Sequence, residues 1–340
     1  MSGPAQPPIG VVGAGAWGTA LAQMLASGGA DTGEAREVLL WTHDEGLAGR
    51  INAARRNEAY LPSAELAPSI RAVRDLAELA PCRMALLVTP AQHLGEVMRS
   101  MPTFPHDLVL CSKGIEAHTG RMMHEVAHAA APASEIAVLS GPTFAHEVAQ
   151  GLPTAVTLAC AGGEAQWDRL APQIARPNFR PYYSDDLVGA EAGGAVKNVL
   201  AIACGVVEGL RLGQNARNAL IARGFAEMLR FGEALGGRAE TLTGLCGLGD
   251  LVLTCSSTAS RNFSLGKALG EGGTASELMA DRRTVAEGAH TAPVLRKLAV
   301  RHGVAMPIVE AVNRLLEGAE AGTVARDLLS RPLAAEGPRP

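Results

Sequence analysis

The stretch Gly13-Ala14-Gly15-Ala16-Trp17-Gly18 limits what this chain can fold into more than any other. It follows a short apolar β-type run, Ile9 to Val12, and opens an alanine- and leucine-rich helical stretch, Thr19 to Ala26. G-x-G-x-x-G between a strand and a helix is a dinucleotide fingerprint in which each glycine has a task. Gly13 permits a tight turn, Gly15 lets a pyrophosphate approach the backbone, and Gly18 lets helix and strand pack closely. The N-terminus of the helix then offers free N–H groups and the positive end of its dipole to the phosphates. A bare glycine-rich turn shares the letters but lacks the flanking strand and helix.

The alternation continues downstream. Val38 to Trp41 reads as a second strand, after a polar loop from Ser27 to Arg36. A carboxylate at its end would suit the ribose of NAD. The chain has Thr42-His43-Asp44 there, and Asp44 is late enough to serve instead as a cap of the next helix. His43, with Arg50, Arg55 and Arg56 downstream, suits a 2′-phosphate, so NADP and NAD both stay open with a lean to NADP. Met84 to Val88, Leu108 to Cys111, Ile136 to Leu139, Ala155 to Ala159 and Phe179 to Tyr183 are further β-type runs, with helical patterns such as Ala91 to Met101 and Trp167 to Ile174 between them. That rhythm implies parallel strands with crossovers, and ligands bind such sheets at the carboxyl ends of the strands. Lys113, in Ser112-Lys113-Gly114, and the stretch Gly141 to Thr143 occupy such ends.

From about Asp186 helical periodicity takes over. Leu187 to Leu212, Ala219 to Leu235, Val285 to Val300 and Ile308 to Leu316 read as helices, with Ser184 or Asp185 as the cap of the first. The expected architecture is an α/β Rossmann-type doubly wound sheet followed by an all-α C-terminal domain: a flexible tail at 1–8, a dinucleotide-binding domain at 9–188, a helical catalytic domain at 189–330 and a second tail at 331–340. Within the helical half, Lys197 follows Gly193-Gly194-Ala195-Val196 and heads the apolar run Val199 to Leu210. Burying an ammonium costs several kcal/mol unless it is paired, and burial lowers a lysine pKa towards the range where it exchanges protons. Only four lysines occur, at 113, 197, 267 and 297, in a chain whose positive charge is mostly arginine. Arginine cannot release its proton, so a proton donor must be one of these few. Lys197 is therefore the candidate acid/base, expected just past the domain junction and facing the cofactor; a lysine snorkelling from a helix end is the plainer alternative. The glycine-rich segment Gly244 to Leu251 carries Asp250, which could pair Lys197 or hold a substrate hydroxyl, and the polar segment Ser256 to Asn262, with Ser260, Arg261 and Asn262, suits a phosphate.

His124-Glu125-Val126-Ala127-His128 matches H-E-x-x-H, in which two histidines on one helical face bind zinc. It lies where a crossover helix belongs and a β-type run and Pro142 follow it, so the histidines read as that helix's wet face and no metal is expected. The net charge of −4 gives no footprint for nucleic acid, and no apolar run reaches the roughly 20 residues of a membrane span. Met1 to Pro8 lacks the basic and apolar regions of a signal peptide. Six scattered cysteines without C-x-x-C spacing read as reduced thiols. A cytoplasmic protein without membrane insertion, and a homodimer, is the expected form.

Taken jointly, several motifs resemble the bacterial NAD(P)-dependent glycerol-3-phosphate dehydrogenase family: G-A-G-A-W-G-T-A at 13–20, S-K-G at 112–114, S-G-P-T-F-A at 140–145, G-G-A-V-K-N at 193–198, N-A-R at 215–217, G-L-G-D-L-V-L-T-C at 247–255, S-R-N at 260–262 and V-A-E-G at 285–288. They run in family order over nearly the whole chain. The resemblance implies reversible reduction of dihydroxyacetone phosphate to sn-glycerol 3-phosphate, the precursor of glycerophospholipids. It implies Lys197 as the proton acceptor in oxidation, and substrate contacts from Lys113, Gly141, Thr143, Asp250, Ser260, Arg261 and Asn262. For the cofactor it implies Ala16, Trp17, His43, Lys113, Ala145, Arg261, Val285 and Glu287 beside the three turn glycines. Ala16 stands where the family often has serine, leaving only a backbone N–H for the phosphate, and the loop Ser27–Glu37 is longer than usual. A hydroxy-acid dehydrogenase of the same build, or a non-catalytic NAD(P)H sensor, is the alternative reading.

Overall fold

The structure is a computed structural model that describes residues 6–28, 36–280 and 286–332. Both predicted tails lie largely outside that range, as does most of the Ser27–Glu37 loop. The strands are β1 (Ile9–Val12), β2 (Val38–Trp41), β3 (Arg56–Asn57), β4 (Leu61–Glu65), β5 (Ile70–Val73), β6 (Met84–Leu87), β7 (Asp107–Leu110), β8 (Glu135–Ser140), β9 (Thr154–Cys160) and β10 (Phe179–Ser184). Eight of them form one sheet in the order β10-β9-β8-β7-β6-β1-β2-β5, and β3 pairs with β4 as a separate antiparallel ribbon. Chain order reverses about β1, which pairs in parallel with β2 on one side and β6 on the other. That reversal opens a crevice at the carboxyl ends of these strands, where the turn Gly13–Gly18 begins.

The central strands β1, β2 and β6 are apolar and buried at every position because both faces of the sheet are covered there. Val38 and Leu40 of β2 enter one core; Leu39 and Trp41 enter the other. Helices α1 (Ala16–Ala26), α2 (Leu47–Ala54), α5 (Ala145–Ala149) and α6 (Gly163–Ile174) contribute Leu21, Leu25, Ile51, Val148 and Leu170 to the first. Helices α3 (Ala91–Arg99) and α4 (Met123–Ala130) contribute Leu94, Met98, Met123 and Val126 to the second.

One sheet expectation fails. β9 runs antiparallel to β8, with Ser140 opposite Thr157 and Ala137 opposite Cys160, and β10 then follows β9 in parallel. The link from β8 to β9 holds only the five-residue α5. Its helical rise of about 7 Å falls well short of a strand of about 20 Å, so α5 does not serve as a full crossover helix, and the chain returns antiparallel at the same edge.

Beyond Ser184 the described residues form helices only: α7 (Leu187–Gly209), α8 (Gly213–Ala234), α9 (Ala239–Leu242), a π-helical turn at Leu245–Gly249, α10 (Asp250–Cys255), α11 (Arg261–Gly270), α12 (Ala275–Leu278), α13 (Glu287–Arg301), α14 (Pro307–Leu316) and α15 (Ala321–Leu329). Asp186, rather than Ser184 or Asp185, caps α7: its Oδ1 accepts the Gly189 N–H at 2.8 Å and its Oδ2 the Arg238 N–H at 2.8 Å. By length and composition α7 could cross a membrane, which the shorter run Val199 to Leu210 does not suggest, but 94% of that stretch is buried inside the protein.

The chain divides into two compact units, Met1–Ala195 with Met228–Leu253, and Val196–Glu227 with Thr254–Pro340. The first holds the sheet. In the second, α7 and α11 meet through glycines: a Cβ on Gly205 would lie 2.0 Å from the Phe263 carbonyl oxygen, and one on Gly266 would lie 1.9 Å from that of Ile202. The buried Glu227 carboxylate accepts the Ile308 and Val309 N–H groups at 2.7 and 3.3 Å, satisfying the first turn of α14.

Candidate active site

In the sheet-bearing unit, the glycine-rich turn has the stereochemistry expected of it. Gly13 has φ +119°, and a Cβ there would lie 2.9 Å from the Val88 carbonyl oxygen. A Cβ on Gly18 would lie 1.8 Å from the Gly13 oxygen, so helix and turn touch by their backbones. A Cβ on Gly15 would meet nothing within 4 Å, which leaves that side open to a ligand. Gly15 is the N-cap of α1, no side chain caps the helix, and its first turn carries no acidic residue. The N–H groups of Ala16, Trp17 and Gly18 are therefore left for an anion at a positive helix end. The buried Trp17 Nε1 has no hydrogen-bond partner among the described residues. These features fit the pyrophosphate of a dinucleotide.

At the end of β2, Asp44 is committed to its own loop. Its Oδ1 accepts the Gly46 and Leu47 N–H groups at 2.9 and 3.0 Å. The Gly46 bond, then the Leu47 bond and the Arg50 charge, hold its carboxyl below the usual carboxylate range. His43 beside it is exposed. Of the three downstream arginines, Arg55 donates to the Ile70 and Ala67 carbonyls and Arg56 to that of Pro62. Only Arg50, 3.7 Å from Asp44, stays at this strand end with His43.

Lys113 follows β7, and its Nζ donates to Asp250 Oδ2 at 2.8 Å. The Asp250 side chain is 1% exposed and that of Lys113 16%. Asp250 begins α10 directly after the π-helical turn, an irregularity frequent at functional sites. Gly193 lets α7 lie against that turn: a Cβ there would be 2.5 Å from the Cys246 oxygen. A Cβ on Gly194 would be 3.5 Å from both Lys113 Cγ and Ser140 Oγ. Gly141 follows β8 with no room for a side chain, since a Cβ would lie 2.9 Å from Val156 Cα. Thr143 Oγ1 donates to the Gly141 carbonyl at 3.4 Å, and Ala145 starts α5 half-buried.

His124 is not on a wet face. Its Nδ1 lies 2.6 Å from Glu191 Oε2, and its backbone N–H donates to Glu191 Oε1 at 2.8 Å. Burial alone would lower the histidine pKa, but the bond to Glu191 and that residue's charge outweigh it and hold it above the usual value. Burial raises Glu191 more than His124 lowers it. His128 is exposed, and no group of three metal-ligating side chains converges among the described residues.

In the helical unit, Lys197 is 6% exposed, and its Nζ donates to Thr254 Oγ1 at 3.0 Å. Asn262 Nδ2 donates to Asn198 Oδ1 at 3.0 Å, while its Oδ1 accepts the Gly288 N–H at 2.9 Å, so one amide ties α7, α11 and α13 together. Ser260 caps α11, its Oγ accepting the Phe263 N–H at 3.2 Å. Arg261 is exposed at the first position of that helix, whose first turn holds no acidic residue. A cation at a positive helix end is unfavourable by itself and becomes favourable when an anion sits there. Glu287 opens α13, and Val285 lies outside the described residues.

Thus Lys113 and Asp250 come together in one unit, and Lys197, Ser260, Arg261 and Asn262 belong to the other. Sequence reasoning does not single out Thr254, Asn198 or Glu191. A threonine inside Val252-Leu253-Thr254-Cys255 reads as helix filler, and only its pairing with the lysine reveals a role.

Residues 8–166 match the family model described as the NAD-dependent glycerol-3-phosphate dehydrogenase N-terminus, and residues 186–325 match the model of its C-terminus. The chain is 68% identical to glycerol-3-phosphate dehydrogenase [NAD(P)+] of Erythrobacter litoralis, over 96% of this chain and 97% of that one. It is 69% identical to the same-named protein of Novosphingobium aromaticivorans, over 97% and 98%. Among solved structures it is similar to glycerol-3-phosphate dehydrogenase of Coxiella burnetii, with a TM-score of 0.89 and 38% identity over 96% of this chain and 100% of that one.

Proposed function

The chain belongs to the NAD-dependent glycerol-3-phosphate dehydrogenase family, and from that premise we propose the reaction and the part each residue plays in it. The protein reversibly reduces dihydroxyacetone phosphate to sn-glycerol 3-phosphate with NAD(P)H, feeding glycerophospholipid synthesis. The bound nicotinamide supplies the hydride that arrives at the substrate's C2. The turn Gly13–Gly18, with Ala16 and Trp17, holds the cofactor pyrophosphate, and His43 with Arg50 faces the adenosine ribose. Asp44 is spent on its loop and does not hold that ribose, which supports NADP over NAD. Lys113, Ala145, Arg261, Val285 and Glu287 are further cofactor contacts, and Gly141, Thr143 and Asn262 bound the substrate.

As hydride reaches C2, negative charge develops on the carbonyl oxygen. Lys197 donates a proton to that oxygen and takes it back in oxidation. Thr254 orients the lysine by accepting from its Nζ. The Lys113–Asp250 pair offers one fixed cation and one fixed acceptor to the substrate's polar groups. Arg261 and the α11 N-terminus, capped by Ser260, hold the phosphate, so binding energy away from C2 orients the ketone. The observation that carries this reading is the burial of Lys197, an ammonium that the fold keeps 6% exposed among apolar helices.

The test is oxidation of NADPH and of NADH, each with dihydroxyacetone phosphate and with unphosphorylated dihydroxyacetone. Rapid turnover only with the phosphate ester, faster with NADPH, is expected. Equal turnover of both ketones would move the assignment to a dehydrogenase that does not read phosphate. A cytoplasmic homodimer belongs to the same proposal, and light scattering of the purified protein tests the dimer.

A further inference from the structure

Asn57 carries no role in the reaction as described, yet its fully buried side chain reaches the cofactor turn from a separate element. It sits on the two-residue strand β3, exposed by 0%. Its Nδ2 donates to the Ala14 carbonyl at 2.9 Å and to Thr19 Oγ1 at 2.8 Å, and its Oδ1 accepts the Tyr60 N–H at 3.3 Å. Both amide protons and the amide oxygen are thus engaged, which fixes the orientation of the group. The hydroxyl of Thr19 lies 3.5 Å from the same Ala14 oxygen.

Ala14 stands between Gly13 and Gly15, in the middle of the turn. A trans peptide is a rigid plane in which the carbonyl of one residue and the N–H of the next point opposite ways. Holding the Ala14 carbonyl towards Asn57 therefore turns the Gly15 N–H away from Asn57, and a Cβ on Gly15 would meet nothing within 4 Å, so the turn is open around that residue. Glycines give this turn its freedom, and freedom in a phosphate cradle costs affinity, because the N–H groups must be ordered each time a ligand binds. We propose that Asn57 is a positioning residue for the cofactor, locking the glycine-rich turn through the Ala14 carbonyl so that the Gly15 N–H is preset for the pyrophosphate.

The inference rests on the cofactor reading above but is measured separately from it. NADPH binding is titrated by intrinsic fluorescence in the parent protein, in Asn57→Asp, which sets an acceptor against the Ala14 oxygen, and in Asn57→Ala, which removes the amide without adding charge. Thermal melts identify the folded variants, and the alanine variant is read should the aspartate one not fold. The Kd for NADPH is expected to rise about tenfold or more, the scale of one buried hydrogen bond lost, with kcat at saturating NADPH and KM for dihydroxyacetone phosphate changed by no more than about twofold. A purely structural role would lower the active fraction and leave Kd alone. A Kd within about twofold of the parent in a folded variant overturns the inference. A parent protein that binds NADPH but does not oxidise it overturns the proposed reaction instead, and the Kd comparison still decides the role of Asn57.

Discussion

A lysine as buried as Lys197 gives up hydration worth several kcal/mol, which makes it a candidate for chemistry in place of a solvated surface charge. Lys197→Ala should leave NADPH affinity nearly unchanged and lower kcat by about 10²–10⁴-fold, the scale of a positioned acid/base. Near-parental turnover would remove the residue from the chemistry. Arg261 is different: it is exposed and would hold a phosphate in ground and transition states alike. Arg261→Ala should therefore chiefly raise KM for the phosphorylated ketone, and an unchanged KM would put the phosphate elsewhere. The His124–Glu191 pair makes a prediction of another kind. The native pKa of His124 lies above its ordinary 6.5, so its contribution to stability is fully present below 6.5 and is lost as pH rises through the native value. The burial-raised Glu191 acts in the same direction from its ordinary 4.5 upward. The melting temperature should fall as pH rises above 6.5, and His124→Asn, which keeps a donor but cannot titrate, should flatten that slope. An identical slope in the variant would assign the pH dependence to other groups.

At the scale of elements, α7 and α11 approach to backbone contact, with the Asn262–Asn198 side-chain bond tying them at one end. Gly205 and Gly266 each face a carbonyl of the other helix, so neither position admits a methyl group without moving a backbone. Gly266→Ala should cost about 1–3 kcal/mol or more in a denaturant titration, although alanine is the better helix former, and should lower kcat because α11 carries Arg261 and Asn262. A more stable variant would show that the helices do not meet this closely. This contact is not legible in the sequence, where Gly266 looks like any helix interior. The alternation of strand and helix is legible, because strands covered on both faces must be apolar at every position. The reversal of β9 is not, since its pattern is the same in either direction and the preceding link holds only a five-residue helix. The β3–β4 ribbon, only two residues long on one side, leaves no periodicity to detect, and nothing in the sequence singles out Asn57 within it. For the site, motifs identify Lys113, Lys197 and Asp250, but Thr254 and Asn198 become visible only through their bonds.

For the whole molecule, division along the chain and division in space differ. The sequence pattern separates 9–188 from 189–330, whereas the sheet-bearing unit also takes in residues 228–253. Those residues are not an ornament on it. Cys246 enters the core beside Ala190, the Arg238 N–H satisfies the Asp186 carboxylate that caps α7, and Asp250 pairs with Lys113. A fragment ending at residue 195 would lose all three and would leave a capping carboxylate and a half-buried lysine without those partners, each a loss of about 1–3 kcal/mol. At about 2–4 °C per kcal/mol for a unit of this size, it should melt roughly 10 °C or more below the full chain, or show no cooperative transition. A fragment of residues 1–253 should recover much of that loss, because it restores the three contacts even though it carries 196–227 without the remainder of the helical unit. Melting of the 1–195 fragment within a few degrees of the full chain, with undiminished NADPH affinity, would show that the strand-bearing half is self-sufficient and that the later segment only borrows its surface.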